Sequence, residues 1–396
     1  MTSLRTNLFW VALSLSLLGL VMIYSATYRE FGAHYLFLRS GHIVLGVVAF
    51  LIVSRIRYTA WRRLSPLLYF GVLVSLVLVL VPGLGVEVGG ARRWFDFGVI
   101  SLQPAEFAKV AAVIVLSCAV AHYRPGASLP WAPILGVGLL FVLVVLEPDF
   151  GTSVVLLTGV AGVLWASEIR TRDLLVASGL VATCLVGVMW LEPYRRERFM
   201  TFLDPWSTSD GSGYQIVQSL VAIQSGDVFG SGAGSGGQGV AIPEVQTDMI
   251  FALIGEELGL LGMIAVIGAF CFVAVAGFRI ALLAPSVMAR CLAAGLTTML
   301  AAQAIFNIGA TMNVLPLAGM TLPFISYGGS SLIVCFAAVG ILYRISEDSE
   351  RAREAKPRRG ASRRGKKSPE RVPSGADLDS RRRYRGARHT RALRGG

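Results

Sequence analysis

Apolar residues in this chain come in long unbroken blocks rather than in amphipathic stripes. Ten blocks are long enough, at about 18 residues or more, to read as membrane-spanning helices. They fall at roughly 7–25, 35–54, 65–82, 103–122, 130–147, 150–167, 171–190, 249–277, 288–313 and 323–344. The first block runs long for a signal peptide and lacks a small-residue cleavage site before Tyr28-Arg29-Glu30, so it reads as a retained helix. The expected class is all-α, a polytopic membrane protein of ten transmembrane helices. Most connections are short, with two exceptions at 83–102 and 191–248. The first is half apolar after Arg92-Arg93-Trp94 and suits an interfacial dip. The second interleaves Phe199, Phe202, Leu203, Trp206, Tyr214 and Ile216 with polar residues, which predicts a short interfacial helix. No pair of broken helices marks an inverted-repeat transporter.

Arginine placement orients the blocks. Arg5, the Arg55, Arg57, Arg62 and Arg63 group, Arg124, Arg170 with Arg172, and Arg279 with Arg290 occupy alternate connections. The positive-inside rule makes those connections and both termini cytoplasmic. The long segment between helices seven and eight is then extracytoplasmic, as is 83–102. Both nevertheless carry arginines (Arg92, Arg93, Arg195, Arg196, Arg198), which oppose the bias and point to an anionic ligand.

Composition narrows the class further. Of 396 residues 54% are hydrophobic and 15% charged, which excludes an ordinary soluble protein. The net charge of +12 is concentrated at one end: residues 345–396 hold 17 Lys and Arg against 7 Asp and Glu, the remainder 19 against 17. The domains are therefore a membrane domain, 1–344, and a basic cytoplasmic tail, 345–396, expected to be disordered. Beside a last helix such a tail suits anionic lipid or a protein partner; nucleic acid is not expected, since no folded module accompanies the charge. Cys118, Cys184, Cys271, Cys291 and Cys335 lie inside predicted spans without CxxC spacing and read as packing residues, and the four histidines form no zinc pattern.

Chemistry-bearing residues gather at the outer ends of the spans. Asp248 stands at the mouth of the eighth, in Thr247-Asp248-Met249-Ile250. It reads either as a helix N-cap or as a general base whose carboxyl is raised by an apolar wall; both readings stand. Glu256 and Glu257 point about 100° apart on that helix, so at most one shares the cavity of Asp248. Glu106 and Lys109 are three residues apart behind Pro104, which capping and pairing explain; charged groups at the edge of a span also line cavities. Asp149 caps the start of the sixth helix or faces the same cavity. Arg195, Arg196 and Arg198 suit phosphate through the guanidinium fork, or lipid headgroups through snorkelling. Ser326 and Tyr327, in Pro323–Ser331, read as small-residue packing or as a polar cavity wall. The glycine run at 226–239 contains a formal GxGxxG, but no strand precedes it and the dinucleotide reading fails.

The ordered set of Ala91-Arg-Arg-Trp94, Gln103-Pro-Ala-Glu106, Pro148-Asp-Phe-Gly151, Phe202-Leu-Asp-Pro-Trp206, Gly213-Tyr-Gln215 with Gln218-Ser219, Pro243 to Gly259, and Gly319 to Ser331 resembles the SEDS family (shape, elongation, division and sporulation) of FtsW and RodA. It is nearer the FtsW branch by Thr321–Tyr327, Ile254–Gly259 and the tail. The resemblance covers about 7–344. It implies a peptidoglycan glycosyltransferase of the bacterial plasma membrane, active on the extracytoplasmic side and placed at the division septum in the FtsW branch. It further implies lipid II as substrate, a class B penicillin-binding protein as partner, and other division or elongation proteins alongside. Asp248 matches the family's required aspartate; Glu106, Lys109, Asp149, Arg195, Arg198, Gln218, Ser326 and Tyr327 are the expected cavity residues. Arg195, Arg198 and Lys109 are the expected partners of the leaving pyrophosphate, with a divalent cation (Mg or Mn) as an expected companion and no ligand cage visible. Gln246 stands where the family usually has His, Met249 where it has Phe, and Glu147 where Gln is common. A lipid II flippase and a non-catalytic division scaffold are the alternatives.

Overall fold

The structure, a computed structural model, describes residues 2–355 apart from 89, 99–100, 124–125, 127, 192, 210, 212 and 236–241. The chain divides into Met1–Ala352 and Arg353–Gly396. The expected disorder of the tail is corrected for 345–354, which continue the last helix, Gly329–Glu354, with Ile345, Ser346 and Ser349 buried; for 356–396 that expectation lies outside the described residues.

Helix dominates because the apolar runs are rich in Leu, Val, Ala and Ile and leave backbone pairing inside each segment, as hydrocarbon requires. The order is α1 (Thr2–Phe31), α2 (His34–Arg55), α3 (Trp61–Leu80), α4 (Pro104–Val120), α5 (Trp131–Leu146), α6 (Phe150–Ala166), α7 (Thr171–Leu191), α8 (Pro193–Leu203), α9 (Tyr214–Ser225), α10 (Ile250–Leu282), α11 (Val287–Thr311) and α12 (Gly329–Glu354). Each of the ten predicted blocks coincides with one helix. Among the described residues six of them, α1, α2, α3, α10, α11 and α12, are long and apolar enough to cross a membrane, while α5 and α6 are shorter apolar helices. Arg5 near the start of α1 pairs with Glu350 near the end of α12 at 3.2 Å, so these two ends of the first unit meet.

Burial separates core from periphery. In the apolar windows of α11 and α12, 72% and 83% of residues are buried, against 28% in α2 and 22% in α3. The central post is therefore α11, packed against α6, α10 and α4. Small residues permit the approach: a Cβ on Gly295 would stand 2.8 Å from Val113 Cγ1.

Three departures from the sequence reading bear on function. Residues 86–102 are not purely irregular but hold a small antiparallel sheet, β1 (Val86–Val88), β2 (Ala91–Asp96) and β3 (Ser101–Leu102), in that order. The strand period of two sends neighbouring side chains to opposite faces. Arg92 pairs with Glu87 at 3.0 Å, whereas Arg93 turns to the α5–α6 connection. The long segment 191–248 holds two helices, α8 and α9, where one was expected. Finally, the last helix begins at Gly329 rather than at 323, because Phe324 adopts φ +65° and interrupts the chain before it.

The helix α10 is itself broken. Gly259 has φ +65° and ψ −165°, a conformation open essentially to glycine alone, and a Cβ there would meet Val228 O at 2.6 Å. The turn after α9 fills the break. Ser231 N–H donates to Glu256 O at 2.9 Å, Gly232 N–H to Glu257 O at 3.1 Å, and Leu260 N–H to Asp227 O at 2.9 Å. Backbone groups freed in an apolar setting are thus paired by the loop, as the low dielectric demands.

Candidate active site

Around the starts of α4, α6, α10 and α12 and the middle of α8 lies a cavity of about 960 Å³. Its wall includes Arg93, Glu106, Asp149, Arg198, Glu244, Asp248 and Tyr327, together with apolar Phe199, Phe306 and Leu317.

Asp248 is not the helix cap. The N-cap of α10 is Met249, without a side-chain cap bond. The Asp248 N–H instead closes a turn onto Glu244 O at 3.2 Å, and its carboxylate faces the cavity. A Cβ built on Gly319 would stand 3.6 Å from Asp248 Oδ2 and 3.3 Å from Arg198 Nη1, so acid and cation flank the same backbone point. Burial pushes the Asp248 carboxyl up to about 6; Arg198 draws it down, Glu244 and Asp149 push it up, and Arg93 opposes them.

Asp149 has both of its expected roles. Its Oδ1 accepts the Thr152 N–H at 3.1 Å and caps α6. Its Oδ2 accepts from Gln103 Nε2 at 2.7 Å on the cavity wall. Arg93 is anchored by backbone: Nε donates to Glu147 O at 2.9 Å and Nη2 to Pro148 O at 2.7 Å.

Glu106 reaches the wall, but Lys109 is enclosed behind it. The Lys109 Nζ is 2.9 Å from Glu106 Oε2 and donates to Gln303 Oε1 at 2.9 Å. Ser326 is turned inward and accepts the Leu322 N–H at 2.8 Å. Gln218 is half-buried on α9. Neither Ser326 nor Gln218 is among the lining residues. Tyr327 does line the cavity, and its N–H donates to Gln246 O at 2.7 Å. The side chain of Arg195 lies outside the described residues.

A family profile described as "Cell cycle protein" (FtsW, RodA, SpoVE) matches residues 5–351. The chain belongs to this family. Among its relatives, a probable peptidoglycan glycosyltransferase FtsW of Coxiella burnetii is 39% identical over 355 residues, covering 85% of this chain and 95% of that protein. Stage V sporulation protein E of Bacillus subtilis is 34% identical over 368 residues, covering 88% of this chain and 100% of that protein. A solved structure described as the structural coordination of polymerization and crosslinking by a peptidoglycan synthase complex superposes with TM-score 0.74 at 30% identity, covering 87% of this chain and 97% of its own. The crystal structure of Thermus thermophilus RodA gives 0.65 at 27% identity, covering 87% and 96%.

In this FtsW/RodA/SpoVE chain the sequence reading missed the polar side chains that hold the irregular segment 312–328. Arg39, fully buried in α2, donates to Phe324 O and Ile325 O. Gln303 Nε2 donates to Thr321 O at 2.9 Å, and Asn307 Nδ2 to Met320 O at 2.7 Å. Their signal was present: each is a lone polar or charged residue inside an apolar span, the kind that membranes tolerate only for a purpose.

Proposed function

We propose that the chain is a peptidoglycan glycosyltransferase of the plasma membrane that polymerises lipid II on the extracytoplasmic side, as an inverting transfer. Asp248 takes the proton from the 4-hydroxyl of the acceptor's GlcNAc. That oxygen forms a bond to the anomeric carbon of MurNAc at the lipid-linked end of the growing strand. The bond from this carbon to the phosphate oxygen breaks, and undecaprenyl pyrophosphate departs with the electron pair.

The observation that carries the reading is the Asp248 carboxylate in the cavity, free of the cap role and beside Arg198. A carboxyl drawn up to about 6 is mostly ionised at neutral pH yet basic enough to accept a proton. Arg93 and Arg198 are the described cations on the wall, and guanidinium forks suit a diphosphate. Lys109 supports the wall through Glu106 and Gln303 rather than meeting the phosphates. Among the described residues no three His, Cys, Asp or Glu are grouped to hold a metal ion, and no step here runs through one. The ten-span topology with cytoplasmic termini belongs to the same proposal. So does a class B penicillin-binding partner, supported by the likeness to a peptidoglycan synthase complex.

The test is polymerisation of purified lipid II by the reconstituted protein with a partner whose transpeptidase is inactivated, wild type against Asp248→Asn. Strands from wild type and none from a normally melting variant support the mechanism. Equal strands from both would remove Asp248 as base.

A further inference from the structure

We infer that Asn307 is a positioning residue for the base, stapling the turn that carries Asp248 to the adjoining cavity wall at Gly319 and Met320. The inference rests on the reading of Asp248 given above. Asn307 lies on α11 and is 2% exposed. One nitrogen serves two acceptors: Nδ2 donates to Asp248 O at 2.9 Å and to Met320 O at 2.7 Å. Two carbonyls facing one end of an amide fix its orientation, since the amide oxygen would be repelled there, and both N–H bonds are used.

Backbone accounting explains why the site needs this residue. At the start of α10 the Ala252 N–H donates to Met249 O at 3.0 Å, one residue short of the usual partner. The Asp248 carbonyl therefore falls outside the helical ladder and takes a side-chain donor instead. Met320 follows Gly319, the point flanked by Asp248 and Arg198. Asn307 thus bonds to the base's own peptide unit and to the residue after the wall that the base faces. A second strut runs in parallel: Tyr327 N–H donates to Gln246 O. That strut is backbone to backbone, so it survives any side-chain replacement, whereas the Asn307 strut depends on one amide.

Its Oδ1 is buried without a hydrogen-bond partner, so the side chain acts through its two donated bonds, and an apolar replacement would leave two carbonyls unpaired. Displacing a catalytic group by about 1 Å is enough to lose on the order of 100-fold in rate.

Asn307→Ala, Asn307→Ser and Asp248→Asn are compared with wild type in lipid II polymerisation with the inactivated partner. The readouts are kcat and KM against pH, with activity normalised to the folded fraction from thermal melts. The expected result for Asn307→Ala is a kcat lower by about 10- to 100-fold at unchanged KM, with the low-pH limb displaced. Asn307→Ser, which keeps a single donor, falls between Ala and wild type and decides the matter if the Ala variant does not fold. A folded variant with wild-type kcat and pH limb, whatever its melting temperature, makes Asn307 merely structural and overturns the inference; so does a change confined to KM. Strand formation by Asp248→Asn would instead remove the base reading itself. An inactive Asp248→Asn beside a normal Asn307→Ala removes only the positioning role.

Discussion

Arg198 and Asp248 close on the same backbone point, 3.3 and 3.6 Å from where a Cβ on Gly319 would be. Gly319 is held at φ +64°, a left-handed conformation that costs an ordinary residue roughly 1–2 kcal/mol. Gly319→Ala therefore loses modest stability and wedges a methyl between acid and cation. The expected outcome is a fall in kcat of about tenfold or more with melting lowered by only a few degrees, read by polymerisation assay and thermal melt. A variant of wild-type rate would show that this approach is irrelevant to turnover.

The pH dependence follows from Asp248. In the proposed role of general base it works only when ionised, and burial pushes its carboxyl up to about 6. The rate should rise with pH through that region, with roughly one tenth of the base available one unit below it and nine tenths one unit above. A profile of kcat/KM between pH 4.5 and 8 checks this; a limb near the ordinary Asp value would mean that the carboxylate is solvated during turnover.

Glu147, in the turn between α5 and α6, is fully buried and neither oxygen has a hydrogen-bond partner. Burial pushes its carboxyl up to about 9, Asp149 adds to the rise, and Arg93 opposes it. The folded-state value lies above the unfolded one, so the acid stabilises least where the unfolded chain ionises and the folded chain does not. Relative to Glu147→Gln, wild type should lose stability as pH climbs from about 4.5 toward 9, on the order of 3 kcal/mol at pH 7. Melts of the two proteins should converge near pH 4. Parallel curves at all pH values would show an ionised Glu147 with a partner.

Glu106 and Lys109 form a buried pair with side chains 6% and 2% exposed. Removing one partner strands a charge, a loss of about 3–5 kcal/mol. Glu106→Gln and Lys109→Met should each melt far below wild type, and the double variant should recover much of the difference. Lys109→Met with an unchanged melt and a selective rise in KM would return Lys109 to the substrate.

Helix positions were legible because about 18 apolar residues in a row have few other fates, and every predicted block became a helix. The irregular parts were not. Nothing local in Pro323–Gly328 announces the left-handed Phe324; it is held there because Arg39, some 285 residues earlier, takes its carbonyl. The cap reading of Asp248 turned on one residue of helix register, with Met249 as the N-cap, and sequence does not resolve boundaries that finely. Arg198 and Asp149 were named from residue type and place. Arg93 was named only as one of several outer arginines, because its partners are carbonyls, which any sequence supplies everywhere. Asn307 and Gln303 are four apart on one face of α11 and were readable as a polar pair in an apolar span, but their acceptors emerge only when 312–328 is folded against them.

The break at Gly259 also divides α10 by surroundings. Ile250–Glu257, directly after Asp248, is buried throughout, whereas beyond the break Leu260, Leu261, Ile264, Ile267 and Val275 are exposed. One helix thus has two neighbourhoods: a stretch enclosed by protein next to Asp248, and a stretch that turns its apolar side chains outward, with the turn bonded to Glu256, Glu257 and Leu260 as the seam between them.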